Sequence, residues 1–192
     1  MDATAIVNRL KEKFGDAIGA LTTENPDPFV VVDRKALVEI CKFLKTDPDL
    51  ELDFLVSISG LDLKEKMVAV YHLWGYKHRH GMVLKVECPP TDLVLPSVTS
   101  VWRAANWHER EQFDLFGFTF TGHPDLRRLL LPEDWVGHPL QKSYVYPTQY
   151  HGIDHYRPNP FDQFKAKDEA DAKARAPSAP AEPTPGSTPA TN

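Results

Sequence analysis

Apolar positions along the chain keep a helical period at the start, switch to alternation in the middle, return to a helical period and then lose all regularity. Ile6, Leu10 and Phe14 stand four apart and Gly15 follows, which predicts a short amphipathic helix over 4–14 with a glycine C-cap. The run FVVVD reads as a strand, and its Asp33 as the cap of a second helix whose Leu37, Ile40, Cys41 and Leu44 form one stripe. From Leu52 the period drops to two, with Phe54, Val56 and Ile58 alternating with Leu55, Ser57 and Ser59. After a turn over 60–66, residues 67–76 alternate again. In MVLKVEC, one face then carries Met82, Leu84, Val86 and Cys88 and the other Lys85 and Glu87. Val98, Val101, Trp102 and Ala105 predict a third helix over 97–105. Asn106 with Glu109 three positions on has the form of a capping box, opening a fourth helix that stops at Gly117.

The predicted order is α, β, α, three strands, α, α. It implies an α+β fold over 1–117, a mostly antiparallel sheet with helices packed on one face. Beyond it Gly or Pro recurs at 122, 124, 132, 137, 139, 147, 152, 158 and 160, too often for ordinary helices or strands. Yet Phe118, Phe120, Leu126, Trp135, Tyr144 and Tyr146 keep the stretch apolar and aromatic. Ordering it costs roughly 1–2 kcal/mol per residue, and each large apolar side chain returns about 1.5–3 kcal/mol only when covered. Residues 118–163 are therefore expected to form a long, irregular, extended C-terminal segment that binds a partner. The Ala/Pro-rich stretch 165–192 has no aromatic residue, so 164–192 is expected to be a disordered tail.

Composition narrows the functional classes. A chain of 192 residues, 42% hydrophobic and 26% charged, is one globular domain with room for an appended segment. The net charge of -5, from 22 basic and 27 acidic residues, leaves no sustained positive field, so nucleic acid is not an expected partner. Cys41 and Cys88 lie in apolar alternations and read as reduced, buried side chains of a cytosolic protein. The N-terminal MDATAIVNRLKEKFG has neither signal nor transit character. No apolar run approaches the roughly 20 residues of a membrane helix. The expectation is a soluble chain with no direct membrane span, held at a membrane only through another protein.

His108, Glu111 and Asp114 share a helix face and offer a stand-alone metal hydrolase as one alternative, but neither a nucleophile nor a third defined ligand accompanies them. HExxH, GxSxG, P-loop and GxGxxG patterns are absent. His78 and His80 sit in a hairpin turn, while His123, His138, His151 and His155 stand beside Gly or Pro, where turn hydrogen bonds outrank zinc ligation. No catalytic, cofactor-binding or metal-binding residue is therefore assigned. The acids of 109–114 are expected instead to meet Asp125, Arg127 and Arg128. Exposed, such a pair is worth ~0–1 kcal/mol; buried at an interface, breaking one costs about 3–5 kcal/mol.

The continuous stretch EREQFDLFGFTFTGHPDLRRLLLPEDWVGHPLQK, residues 109–142, resembles the signature of the complex I 30 kDa subunit family, in its bacterial form the C subunit of proton-translocating NADH:quinone oxidoreductase. The resemblance covers about 6–161. It implies a non-catalytic core subunit of the peripheral arm, on the cytoplasmic side of the cell inner membrane. FMN and the iron–sulfur clusters that carry electrons from NADH to quinone would lie in partner subunits, with no cofactor in this chain. It also implies a hetero-oligomer, chiefly with the quinone-site D subunit and also with the cluster-bearing B and I subunits. The partner-binding residues it points to are Glu109, Arg110, Glu111, Asp114, Phe116, His123, Asp125, Arg127, Arg128, Trp135 and His138. After Leu140 the family usually continues with Arg, Lys, Asp, an aromatic and Pro, where this chain has Gln141, Lys142, Ser143, Tyr144 and Val145. An alternative that keeps the fold is the equivalent subunit of a related membrane-bound hydrogenase or of a dehydrogenase fed by a donor other than NADH.

Overall fold

The step of four at the N-terminus becomes helix α1 (Ala3–Phe14), in which Ile6 and Leu10 have no exposed surface. Asp2 caps it, its carboxylate accepting the Ala5 N–H at 2.8 Å. The structure is a computed structural model that describes residues 2–24 and 27–154. Strand β1 (Ile18–Thr22) pairs antiparallel with β2 (Phe29–Val32), a strand pair of which only the second was expected. Helix α2 (Leu37–Thr46) buries the predicted stripe of Leu37, Ile40, Cys41 and Leu44. Asp33 does not cap it. Its carboxylate accepts the Lys35 N–H at 2.9 Å and forms a local turn, so the helix starts only at Leu37.

Strands β3 (Phe54–Asp62), β4 (Met67–Gly75) and β5 (His80–Cys88) form the expected antiparallel meander. The five-stranded order is β1-β2-β5-β4-β3, in which β2 and β5 run parallel and the other pairs antiparallel. Strict alternation along β3 does not hold. Leu55 opposes Leu73 while Ser57 opposes His72, leaving Val56 as a bulge. The extra residue reverses the phase, so Leu55 and Ile58 both enter the core and Phe54 and Val56 face outward. On β5 the prediction stands: Met82, Leu84, Val86 and Cys88 are all buried. These residues, with Ala69 and Tyr71 of β4, pack against α1 and α2 in one core on one face of the sheet.

The predicted helix over 97–105 is absent. The chain makes tight turns in which the Val101 and Trp102 N–H groups both donate to Val98 O, at 2.9 and 3.0 Å. Val98, Val101 and Trp102 are buried all the same. Strand β6 (Val94–Pro96) and strand β7 (Thr119–Thr121) pair in parallel, joined through helix α3 (Ala105–Phe116). Pairing with β6 carries the chain past Gly117 into the core, where Phe118 and Phe120 are 0% and 2% exposed. The body therefore does not end at Gly117; it is one compact unit through Tyr146. From Pro147 a second unit begins, and its described residues form a hairpin of β8 (Gln149–Tyr150) and β9 (Ile153–Asp154). The expected continuation over 155–163 and the tail over 164–192 lie outside the described residues.

Candidate functional site

Helix α3 carries an unusual buried face, with Glu109, Arg110, Gln112 and Asp114 at 5% exposure or less. Buried charge persists only when fully engaged, and each of these groups is bonded to a segment distant in sequence. Gln112 Nε2 donates to Ile58 O of β3 at 3.0 Å. The helix sits against bare backbone there: a Cβ on Gly60 would lie 2.7 Å from the Phe116 ring and 2.8 Å from Gln112 Oε1.

Asp114 is the hub. Its Oδ2 accepts the consecutive N–H groups of Leu129, Leu130 and Leu131 at 3.0, 2.7 and 2.9 Å, and its Oδ1 accepts Arg128 Nη1 at 2.8 Å. Burial opposes the charge most strongly, but the three amides and the guanidinium together outweigh it and hold the carboxyl below its ordinary value. Arg128 then extends the network, its Nη2 donating to Trp135 O at 2.8 Å and to Gly137 O at 3.2 Å. Arg110 donates from Nε to Arg127 O and from Nη2 to Arg128 O, at 3.1 and 3.0 Å, beneath the ring of Trp107.

The same segment closes the end of α3, where the last four carbonyls lack helical partners. Gly117, at φ 81°, returns its N–H to Phe113 O. Asp114 O accepts His138 Nδ1–H at 2.9 Å, Leu115 O the Leu140 N–H at 3.0 Å and Phe116 O the Gln141 amide at 2.7 Å. Any side chain at Gly117 would meet His138 at 2.8 Å, so this left-handed turn admits only glycine. Trp135 completes the fold-back, buried and donating Nε1–H to the Tyr144 hydroxyl at 3.0 Å.

Glu109 turns the other way. The expected capping box does not form: no side chain caps α3, and Glu109 accepts Ser97 Oγ–H and the Val98 N–H, both at 2.7 Å. Burial raises its carboxyl, and these two donors offset that only in part, leaving it pushed up to about 7. His123 Nε2 lies 4.0 Å away. It donates to Asn106 O while His123 Nδ1 accepts the Asp125 N–H.

The expected acid–arginine pairing is thus realised once, between Asp114 and Arg128. Arg127 pairs only with the exposed neighbouring Asp125, at 2.9 Å. Glu109 and Asp114, expected to touch a partner, have no exposed surface. Glu111 and Phe116 are half-buried. Outward from the network stand Leu130, Val136, Leu140, Val145 and Tyr146, with Val136 and Val145 84% and 85% exposed. Ser97 and Gln112 carry no signal of their own in the sequence, where Gln141 and Tyr144 stand out only as departures from the family pattern. A buried glutamate obliges nearby donors, but nothing in the spacing identifies them. Among the described residues no group of three or more His, Cys, Asp or Glu side chains is placed to hold a metal ion. Asp114 of the alternative metal reading has both oxygens engaged by its own chain. The rings of His78 and His80 stack 5.7 Å apart, and His78 Nε2 bonds to Pro48 O.

These features define a module that folds a long C-terminal segment onto its own last helix and presents aliphatic side chains on its outer surface. Residues 30–150 match the family described as respiratory-chain NADH dehydrogenase, 30 kDa subunit, and the chain belongs to that family. It is 42% identical over 155 residues to the NADH-quinone oxidoreductase C subunit of Chlorobium phaeobacteroides, covering 79% of this chain and 93% of that one. It is 40% identical over 146 residues to the corresponding C subunit of Roseiflexus sp., covering 74% and 84%. Among solved structures, the trypsin-resistant fragment (1-134) of Nqo5 matches 63% of this chain and 99% of that chain, with TM-score 0.53 and 32% identity. A chain of the archaeal membrane-bound sulfane sulfur reductase matches 82% and 96%, with TM-score 0.64 and 19% identity, and shares the fold.

Proposed function

We propose that this chain is a non-catalytic core subunit of the peripheral arm of proton-translocating NADH:quinone oxidoreductase. In this reading the outer surface of 129–146 docks on the quinone-site D subunit, with the cluster-bearing B and I subunits as further neighbours. Electrons pass from NADH through FMN and iron–sulfur centres to quinone in those other subunits, and proton translocation occurs in the membrane arm. The chain sits on the cytoplasmic side of the inner membrane and is held there by the complex. No helix of its described residues is long and apolar enough to cross a membrane.

One observation carries the reading. A buried ionic network is spent on fixing a loop whose exposed side chains are Leu130, Val136, Leu140, Val145 and Tyr146. Such apolar exposure on a rigidly held segment marks a surface meant for another protein. Family membership supplies the machine. The test is a Val136→Asp, Val145→Asp double variant in the complete complex. Assembly should fall sharply, and whatever complex forms should reduce quinone at the normal rate per complex. A fully assembled complex that has lost quinone reduction would instead assign this chain a direct part in the chemistry.

A further inference from the structure

The sheet has a second face that the core does not use. Strand β4 is apolar on both sides: Met67, Ala69, Tyr71 and Leu73 face the helices, while Val68 and Val70 join Val83 and Phe29 in a separate cluster that no helical residue enters. A strand apolar on both sides is the pattern of a sheet covered on both faces. Two hollows of about 360 and 300 Å³ lie over this cluster. Both are lined by Asp27, His72 and Val83, so they form one trough from Leu61 at one end to Trp74 at the other.

The trough contains one cation without a counter-ion. Lys85 Nζ stands 3.3 Å from the centroid of the Phe29 ring and takes part in none of the ion pairs among the described residues. The acid beside it on its own strand, Glu87, is already held by Lys66 at 2.6 Å. Asp27 also lines both hollows and forms no ion pair with Lys85 among the described residues. A cation kept on an aromatic floor, amid valines, favours an occupant that brings a carboxylate.

The shape narrows the occupant further. The lining comes from β2, β5, β4 and β3, so the trough is about 14 Å wide at the usual strand spacing, and its ends at Val68, opposite Leu61, and Trp74 lie about 20 Å apart along β4. That length is between three and four turns of helix. Strand addition at the β3 edge is hindered, because Gln112 already bonds to Ile58 O there. A second copy would set one concave surface against another. We propose that the trough seats an amphipathic helix of another subunit, apolar toward the sheet and bearing one carboxylate that pairs with Lys85. The proposal rests on the chain being an assembly subunit, but it concerns a surface separate from that of 129–146.

The test uses the assembled complex and the free full-length chain side by side. Hydroxyl-radical labelling should modify Trp74 and Phe29 readily in the free chain and several-fold more slowly in the complex. Lys85→Glu should lower incorporation roughly tenfold in competition with wild type, as expected for a rim-to-core charge reversal, with an unchanged urea midpoint for the free chain. Lys85→Gln should lose less. A photo-crosslinking side chain at position 61 should capture a helix of a different subunit. Equal labelling of Trp74 in both states, normal incorporation of Lys85→Glu, or capture of a second copy of this chain would each overturn the proposal. Labelling of Trp74 is scored independently of the Val136/Val145 variant, so the two readings fail separately.

Discussion

Two carboxylates five positions apart on α3 are both fully buried, and the chain treats them oppositely. Asp114 has four donors and stays ionised; Glu109 has two neutral donors and is pushed up to about 7. The difference sets opposite pH dependences. The ordinary carboxyl value for Glu109 is 4.5, so its folded-state value is raised. Its contribution to stability is complete below that ordinary value and is lost as pH rises through about 7, by about 3 kcal/mol in all. Urea unfolding at about pH 5 and about pH 8 should therefore show a decline in wild type that is largely missing in Glu109→Gln. Comparing the two proteins cancels His80, whose burial lowers its value and gives the opposite slope. An equal decline in both proteins would refute the assignment. Asp114→Asn removes the charge that meets three amides and Arg128, and should cost about 3–5 kcal/mol at neutral pH, read as a lower urea midpoint. Because the Asp114 value is depressed, its contribution is present above the ordinary carboxylate range and disappears as pH falls through the folded-state value.

At the scale of elements, the Val56 bulge and the Gly60 contact decide how α3 meets the sheet. The bulge aims Leu55 and Ile58 inward, and Gly60 lets the helix approach the backbone of β3. Gly60→Ala should push Phe116 and Gln112 away and destabilise the body by about 1–3 kcal/mol, the usual cost of overpacking. A displaced side-chain amide signal of Gln112 in the NMR spectrum would be its local signature. A Gly60→Ala protein with wild-type stability and spectrum would show that α3 is not seated there. Much of this level was legible in the sequence. The four-step apolar spacing of α1, the stripe of α2 and the alternation of β5 depend on nearest neighbours along the chain. The bulge and the absent helix over 97–105 were not, because each is set by contacts with segments distant in sequence, and the start of α2 was not because a local turn at Asp33 competes with the cap.

For the whole molecule, the C-terminal segment up to Tyr146 is part of the body, with Phe118 and Phe120 in the core. The expectation of a ribbon dependent on a partner counted side-chain burial and omitted backbone hydrogen bonds to Asp114, Arg110 and Arg128. Limited proteolysis of the free chain should therefore spare 118–146; cleavage by trypsin after Arg127 or Arg128 as fast as in an unfolded chain would contradict the network. In the proposed reading a partner would supply cover for Leu130, Val136, Leu140, Val145 and Tyr146, not the fold of the segment. Of the candidate site the sequence made legible the pairing of an acid of 109–114 with an arginine of 127–128, but neither the rest of the network nor its geometry. Asp114 with Arg128 was found, whereas the inward turn of Glu109 and the capping by His138 and Gln141 were not.

The sequence alone determined the α+β class, the antiparallel meander, the buried faces of α1, α2 and β5, and membership of the respiratory-chain 30 kDa family through the stretch 109–142. Those rest on local period and on motif, which a chain carries regardless of its path in space. Only the tertiary structure decided that Asp114 and Arg110 of α3 hold the chain's own C-terminal segment, and that the second face of the sheet carries a valine cluster beside a lysine in no ion pair among the described residues. Both depend on which distant residues meet. Hydrogen-bond direction and the balance between burial and charge are settled by those meetings and not by spacing.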